Sequence, residues 1–302
     1  MIRKKRTIWP MLFFLIVFLS IIASSEERKS FKPRFSIKLT AGGGYVAIGD
    51  MNKHLDSMNN YKDYSGLSMS DVSGKIEKLN NWSNDWELEL KIDVSPKIGF
   101  GIATSFFHRR NQSSIYAYQV PEFGRDHEMI FEPEIKVIMP LELKLYYSIY
   151  SGSKLNVFIN SGIGLYSGKM TENKIQNFIY PLGDVYFDNR YWEVENNRSL
   201  GFRGGVGFEY SLIKNLALVV ELQGRYLRIG NLEGAVKYET NFGSGLTIGE
   251  SGTLHFFEYS YYYDLDIPLP IQIFPEIERI ERNAVLDLSS FSLRIGIKIK
   301  LF

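Results

Sequence analysis

The strongest constraint in this sequence is a two-residue rhythm. From Phe35 the apolar or small positions Phe35, Ile37, Leu39, Ala41, Gly43 and Tyr45 alternate with Ser36, Lys38, Thr40, Gly42 and Gly44. A period of two is that of a β-strand with one apolar and one polar face. The same alternation returns from Trp86 to Val94, Ile98 to Phe106, Ile135 to Leu145, Leu155 to Leu165, Leu200 to Tyr210, Leu216 to Tyr226 and Phe291 to Leu301. Each stretch is close to the ~9–11 tilted residues with which a strand crosses a bilayer. The pattern predicts an all-β chain of eight antiparallel strands, and a helical period is nearly absent.

The connections add a direction. Those between strands 2–3, 4–5 and 6–7 are short, around Ser95-Pro96, Tyr147 to Lys154 and Ser211 to Asn215, whereas the other four run from about 20 to more than 50 residues. Strict alternation of short and long puts all tight turns at one end. A transmembrane up-and-down barrel has this asymmetry, with short periplasmic turns and long extracellular loops.

A soluble eight-stranded barrel of the lipocalin kind is the alternative, and it would turn its apolar face inward. Aromatic placement favours the membrane. Phe35, Tyr147, Tyr210 and Phe302 fall at one predicted end, and Tyr45, Trp86, Phe106 and Tyr226 at the other, like the two girdles of a barrel in lipid. The polar face then lines the lumen. It carries Lys38, Lys91, Lys136, Lys144, Arg203, Arg225, Arg294 and Lys298 against Glu87, Glu89, Asp93, Glu142, Glu209 and Glu221. Eight strands leave an interior that side chains can fill, and buried charges must pair. The expectation is a lumen plugged by its own ion pairs.

With these elements placed, Phe35 to Gly49, Ile163-Gly164-Leu165-Tyr166, Gly201 to Tyr210 and Leu286 to Phe302 resemble the small bacterial outer-membrane β-barrel domain family, which includes OmpA- and OmpX-like barrels. The closing Leu288-Ser289-Ser290-Phe291-Ser292-Leu293-Arg294-Ile295-Gly296 and a C-terminal aromatic residue carry the likeness most strongly. The resemblance implies the bacterial outer membrane as location, its lipid as surroundings, and the barrel-assembly machinery as a partner that reads the last strand. In one respect the chain departs from the family: Leu301 is in phase with the lipid-facing residues and Phe302 lies one step beyond. Either a small bulge restores the phase or Leu301 takes the role.

Export is consistent with this. Arg3-Lys4-Lys5-Arg6, the apolar run Met11 to Ala23 and the small residues Ala23-Ser24-Ser25 have the order of a cleaved signal peptide, which predicts residues 1–25 as signal and 26–302 as barrel domain. Removing them leaves 31 basic against 34 acidic residues, a net charge of −3, which gives no case for nucleic acid. The chain has no cysteine, hence no disulfide and no lipoprotein acylation site.

Chemistry is harder to find. His54, His108, His127 and His255 fall in or beside predicted loops without metal-ligand spacing. His127-Glu128 and Asp50 to His54 are the nearest approach to a cation site. Ser105, His108 and Glu132 are the nearest to a catalytic constellation at the outer rim, and no local motif elevates them. Gly42-Gly43-Gly44 and Gly204-Gly205-Val206-Gly207 precede no helix, so they are read as strand glycines and not phosphate cradles. No catalytic residue, metal or cofactor is expected. The segment after strand 7 is aromatic out of proportion to a solvated loop, with Phe256, Phe257, Tyr259, Tyr261 and Tyr263. It reads as an exposed stacking surface, or as rings packing the loops together. The functional expectation is a non-catalytic surface protein serving envelope structure, adhesion or recognition. A narrow solute pore and a lipid-modifying barrel enzyme stand as alternatives.

Overall fold

A computed structural model describes residues 31–59, 72–120, 125–180, 184–241, 246–256, 272–274 and 282–301. The predicted signal segment, Phe302 and most of the aromatic segment, including Phe257, Tyr259, Tyr261 and Tyr263, lie outside these residues. Eight strands form a closed ring: β1 (Arg34–Val46), β2 (Trp82–Asp93), β3 (Ile98–Arg110), β4 (Arg125–Ser151), β5 (Leu155–Ile179), β6 (Val185–Ile213), β7 (Leu216–Ile229) and β8 (Ser290–Lys300). Each pairs antiparallel with its chain neighbour, and β8 closes on β1 from Ser36↔Lys300 to Val46↔Ser290. Leu301 donates its N–H to the Phe35 carbonyl at 2.8 Å and is exposed, in the lipid-facing phase.

The outer face is a band of exposed apolar side chains, including Leu39, Leu88, Leu90, Ile102, Leu143, Ile163, Phe202, Leu222, Ile295 and Ile297. From Phe35 to Tyr45, at about 3.4 Å per residue and a tilt near 40°, the band stands roughly 26 Å high, the height of a barrel's lipid-facing belt. Aromatic residues mark its edges: Phe291, Tyr45 and Trp82 stand directly opposite one another on β8, β1 and β2, with Tyr147 and Tyr210 exposed at the other end. A closed ring with an apolar outer belt is a transmembrane β-barrel.

The tight turns lie where alternation put them, around Ser95, Lys154 and Lys214. The long connections are not mainly loop. β4, β5 and β6 run for 27, 25 and 29 residues, more than twice what a bilayer needs. Above the belt they continue as a sheet, joined by Ser113–Val120, Glu233–Thr240 and Leu246–Phe256.

Two bulges set the boundary between barrel and lobe. On β4 an extra residue at Met139 to Leu141 shifts the register against both neighbours, beside Pro140, which has no N–H to give the ladder. On β6 an extra residue falls between Ser199 and Asn196. Each bulge reverses the strand's phase. Ile135, Val137 and Met139, expected to face lipid, are therefore buried, and Lys136, expected in the lumen, is exposed on the outer surface.

The lobe's interior is an apolar core built from Phe131, Ile135, Trp192, Val194, Leu227, Ile229, Leu254 and Leu286. A helix, α1 (Asp50–Met58), enters it between β1 and β2, with Met51 and Leu55 fully buried. Gly49 makes the turn into α1 at φ 72, where a Cβ would sit 2.7 Å from the Val285 oxygen. Asp50 accepts the Val285 N–H and two bonds from Arg282. The Asn52 and Asn59 side chains mimic backbone, pairing with Leu79 and Ile76.

Candidate functional site: the sealed lumen and the outer lobe

Strand parity determines which groups meet inside the belt. Nearest the tight turns, Lys298 Nζ lies 2.9 Å from Glu209 and 3.5 Å from Asp93, and Lys91 lies 2.9 Å from Asp93. One layer up, Lys38 reaches Glu89 at 2.8 Å and Glu221 at 2.6 Å, while the Tyr146 hydroxyl donates to Glu89 at 2.7 Å. The Lys91 ammonium stands 4.4 Å from the centre of the Tyr146 ring. Above this, Glu87 accepts from Lys144, Arg203 and Arg294, the last at 2.8 Å. Arg203 also faces Glu142 at 3.2 Å, and Arg294 bonds Asp85.

Of the expected network, Lys38, Glu89, Lys91, Glu142, Arg203, Glu209, Glu221, Arg294 and Lys298 are buried in the lumen. Arg225 is half-buried at its top and donates to the Leu288 carbonyl at 3.1 Å. Two members were missed by the sequence reading: Asp85 and Tyr146. Both lie on the inward parity of their strands, which is the signal that could have found them. Seven basic residues (Lys38, Lys91, Lys144, Arg203, Arg225, Arg294, Lys298) thus meet seven acidic ones (Asp85, Glu87, Glu89, Asp93, Glu142, Glu209, Glu221) among the described residues. The interior is charged but balanced.

The apolar core and α1 sit directly above this network, so the barrel is sealed twice: by paired charges within the belt, then by hydrocarbon. At the upper seal His54 of α1 lies 2.8 Å from Glu172 of β5, both about 1% exposed, and the Trp192 indole donates to the same carboxylate at 3.2 Å. Burial raises the Glu172 pKa. The facing His54, the Arg190 charge and the Trp192 N–H outweigh that, leaving it below the ordinary carboxylate value.

The remaining candidates do not gather into a site. Ser105 points into the barrel beside Met139, whereas His108, three residues on, points out and bonds Glu134 at 2.7 Å. Glu132 is held by Asn173. The three are therefore not a catalytic triad, because odd and even positions of β3 face opposite sides. Asp50 and His54 go to separate partners. His127 stacks on Phe178 at 4.5 Å, while Glu128 bonds Asn177. No cluster of His, Cys, Asp or Glu suited to a metal occurs among the described residues. Phe256 is not a surface aromatic: it is 4% exposed, with Lys53 and Arg282 over its ring, because its parity on Leu246–Phe256 turns it inward beside Leu254.

No protein-family profile and no curated protein sequence matches the chain. Solved structures similar to it include a major outer membrane protein of Thermus thermophilus, with a TM-score of 0.37, 13% identity and coverage of 90% of this chain and 100% of that one. Neisserial surface protein A gives a TM-score of 0.34, 9% identity and coverage of 90% and 100%. The outer membrane protease OmpT of Escherichia coli gives 0.33, 8% identity and coverage of 92% and 99%. What defines the present chain is its own geometry: an eight-stranded transmembrane β-barrel with tight turns at one end, a charged lumen and a β-rich lobe at the other.

Proposed function

We propose that this chain is a non-catalytic surface protein of the bacterial outer membrane, in which the barrel anchors an extracellular β-lobe used for adhesion or recognition. One observation carries the reading: the interior is closed in two layers while β4 to β6 extend far beyond the bilayer. A pore gains nothing from an apolar seal across its mouth, and a lobe with its own core is a platform for contacts. Outer-membrane lipid surrounds the barrel in this reading, and the assembly machinery is its partner during biogenesis.

The test compares cells displaying the intact chain with cells in which Glu233 to Phe256 is replaced by a short turn. Adhesion to surfaces or to other cells should fall with the replacement while the barrel still assembles. Refolded protein in planar bilayers should show no steady conductance, and lipid A should emerge chemically unchanged from incubation with it. Steady conductance would make the protein a pore, and a modified lipid would make it an enzyme.

A further inference from the structure

The outer surface changes character abruptly where the apolar belt ends, and it does so differently on the two halves of the barrel. On β8, β1 and β2 the upper edge is aromatic: Phe291, Tyr45 and Trp82 are 58%, 56% and 63% exposed. On the five strands β3 to β7, the first titratable side chain on the outer face beyond the last lipid-facing residue is basic each time. His108 follows Phe106, Lys136 lies beyond Ile138, Lys169 beyond Leu165, Arg198 beyond Leu200 and Arg228 beyond Tyr226. His108, Lys136 and Lys169 stand directly opposite one another across three strands. Lys136 and Lys169, like charges directly opposite each other, repel, and Glu195, across from Lys169 on β6, offsets this on one side only.

The carboxylates that touch this row lie on its far side from the lipid. Glu134 meets His108 and Lys136 at 2.7 and 3.0 Å, and Glu193 meets Lys169 at 2.5 Å. Glu134 is two residues farther up β4 than Lys136, and Glu193 is five farther up β6 than Arg198. Among the described residues Arg198 has no carboxylate within ion-pair distance, and Arg228 has only Asp287 at 3.7 Å. The lipid-facing side of the row is left for another anion. Immediately above β3 to β6 lies a polar groove of about 440 Å³, lined by the cations Arg110 and Lys237, the carboxylates Glu132, Glu134 and Glu239, and neutral polar groups that include Asn173 and Tyr191.

The vertical order is thus hydrocarbon, then cations, then a hydrogen-bonding groove. A lipid stacks its own parts in the same order: acyl chain, phosphate, remaining headgroup. We propose that the β3 to β7 half of the barrel binds phosphate-bearing lipids of net negative charge from the surrounding leaflet, with the phosphate on the Lys136, Lys169 and Arg198 row and the rest of the headgroup in the groove. The aromatic half takes lipid without charge selection. The proposal rests on the membrane placement of the barrel and not on what the lobe recognises, so either can fail alone.

Native mass spectrometry of the refolded full barrel in nonionic detergent tests it, with phosphatidylglycerol, lipid A, phosphatidylcholine and inorganic phosphate as separate probes. Phosphatidylglycerol and lipid A should stay bound in larger number than phosphatidylcholine, which only the aromatic half takes. Each basic residue near an anionic headgroup contributes about fivefold in affinity, so the triple variant Lys136→Gln, Lys169→Gln, Arg198→Gln should bind roughly a hundredfold more weakly. Trp82→Ala on the other half should bind as the wild type does. All variants must keep the folded, heat-shifted band on gels. Asn173→Ala with Tyr191→Ala should weaken lipid A and spare phosphatidylglycerol; an equal effect on both would remove the groove from the proposal. Equal retention of phosphatidylcholine, full binding by the triple variant, or displacement of lipid by inorganic phosphate would each overturn it.

Discussion

Replacing Glu87 by Ala should destabilise the barrel more than any exposed charge deletion. Glu87 has no solvent exposure and accepts from Lys144, Arg203 and Arg294, with Lys38 3.8 Å away. Breaking a buried ion pair by removing one partner costs about 3–5 kcal/mol, because the other charge stays buried. Three cations lose an anion here, which argues for the top of that range. Each keeps a second carboxylate, however: Glu89 for Lys144, Glu142 for Arg203 and Asp85 for Arg294. That holds the expected loss near ~4 kcal/mol. Glu87→Gln, which keeps the shape and one acceptor, should lose less. Urea unfolding of the refolded barrel in lipid vesicles, followed by tryptophan fluorescence, measures it. Glu193→Ala, which breaks the exposed pair with Lys169, serves as control and should stay within about 1 kcal/mol. If Glu87→Ala proves no more costly than Glu193→Ala, the lumen is hydrated enough to screen its charges, and the sealed interior is refuted.

Three further outcomes follow from the same geometry. Glu87→Ala alone should remain non-conducting in planar bilayers, because the apolar core and α1 still close the mouth; a leak in that variant would show that only the charges hold the seal. Glu172 has a depressed folded pKa, so its stabilisation is present at neutral pH and is lost as pH falls below the unfolded carboxylate value near 4.5. The stability gap between wild type and Glu172→Gln should therefore narrow on acidification through that range, and a gap that widens would reverse the assignment. Deleting Phe291 to Phe302 should leave the chain aggregated, since β8 supplies the closing ladder to β1 and an open edge in lipid costs several kcal/mol per unpaired group; normal insertion would remove the eight-strand ring.

The belt was legible because lipid imposes one rule on every strand: apolar out, polar in. Phe35 to Tyr45 on β1 and Phe291 to Leu301 on β8 obey it without interruption, and the parity that names Lys38 or Arg294 as lumenal follows directly. Tyr146 was overlooked inside the same logic, since a tyrosine flanked by Tyr147 does not announce which of the two is buried. The lobe was not legible. Above the belt the outside is water and the inside is hydrocarbon, so the rule inverts. A reader who holds the phase constant then sees Ile135 and Val137 as lipid-facing and Glu132 and Glu134 as loop chemistry. The His54–Glu172 contact joins a helix to a strand across more than a hundred residues, and no spacing in the sequence encodes it.

That inversion makes one more expectation possible. β4 crosses the boundary with a single extra residue at Met139 to Leu141, and this residue alone puts Phe131, Ile135 and Val137 in the core and Glu132, Glu134 and Lys136 on the surface. Deleting Pro140 should hold the strand in one phase. The ladder from Leu141 to Ser151 would be unchanged, but three charges would enter an apolar core and three apolar side chains would leave it. An unpaired charge in such a core is not tolerated, so the lobe should lose its fixed packing while the belt survives. Pro140→Ala, which keeps the residue count, should be mild by comparison. Protease protection in vesicles separates the cases: the deletion should leave a protected core fragment and a digested lobe, and the substitution should resist as the wild type does. If the deletion variant keeps an intact, protease-resistant lobe, the bulge is not what converts the lipid-facing strand into a water-facing one.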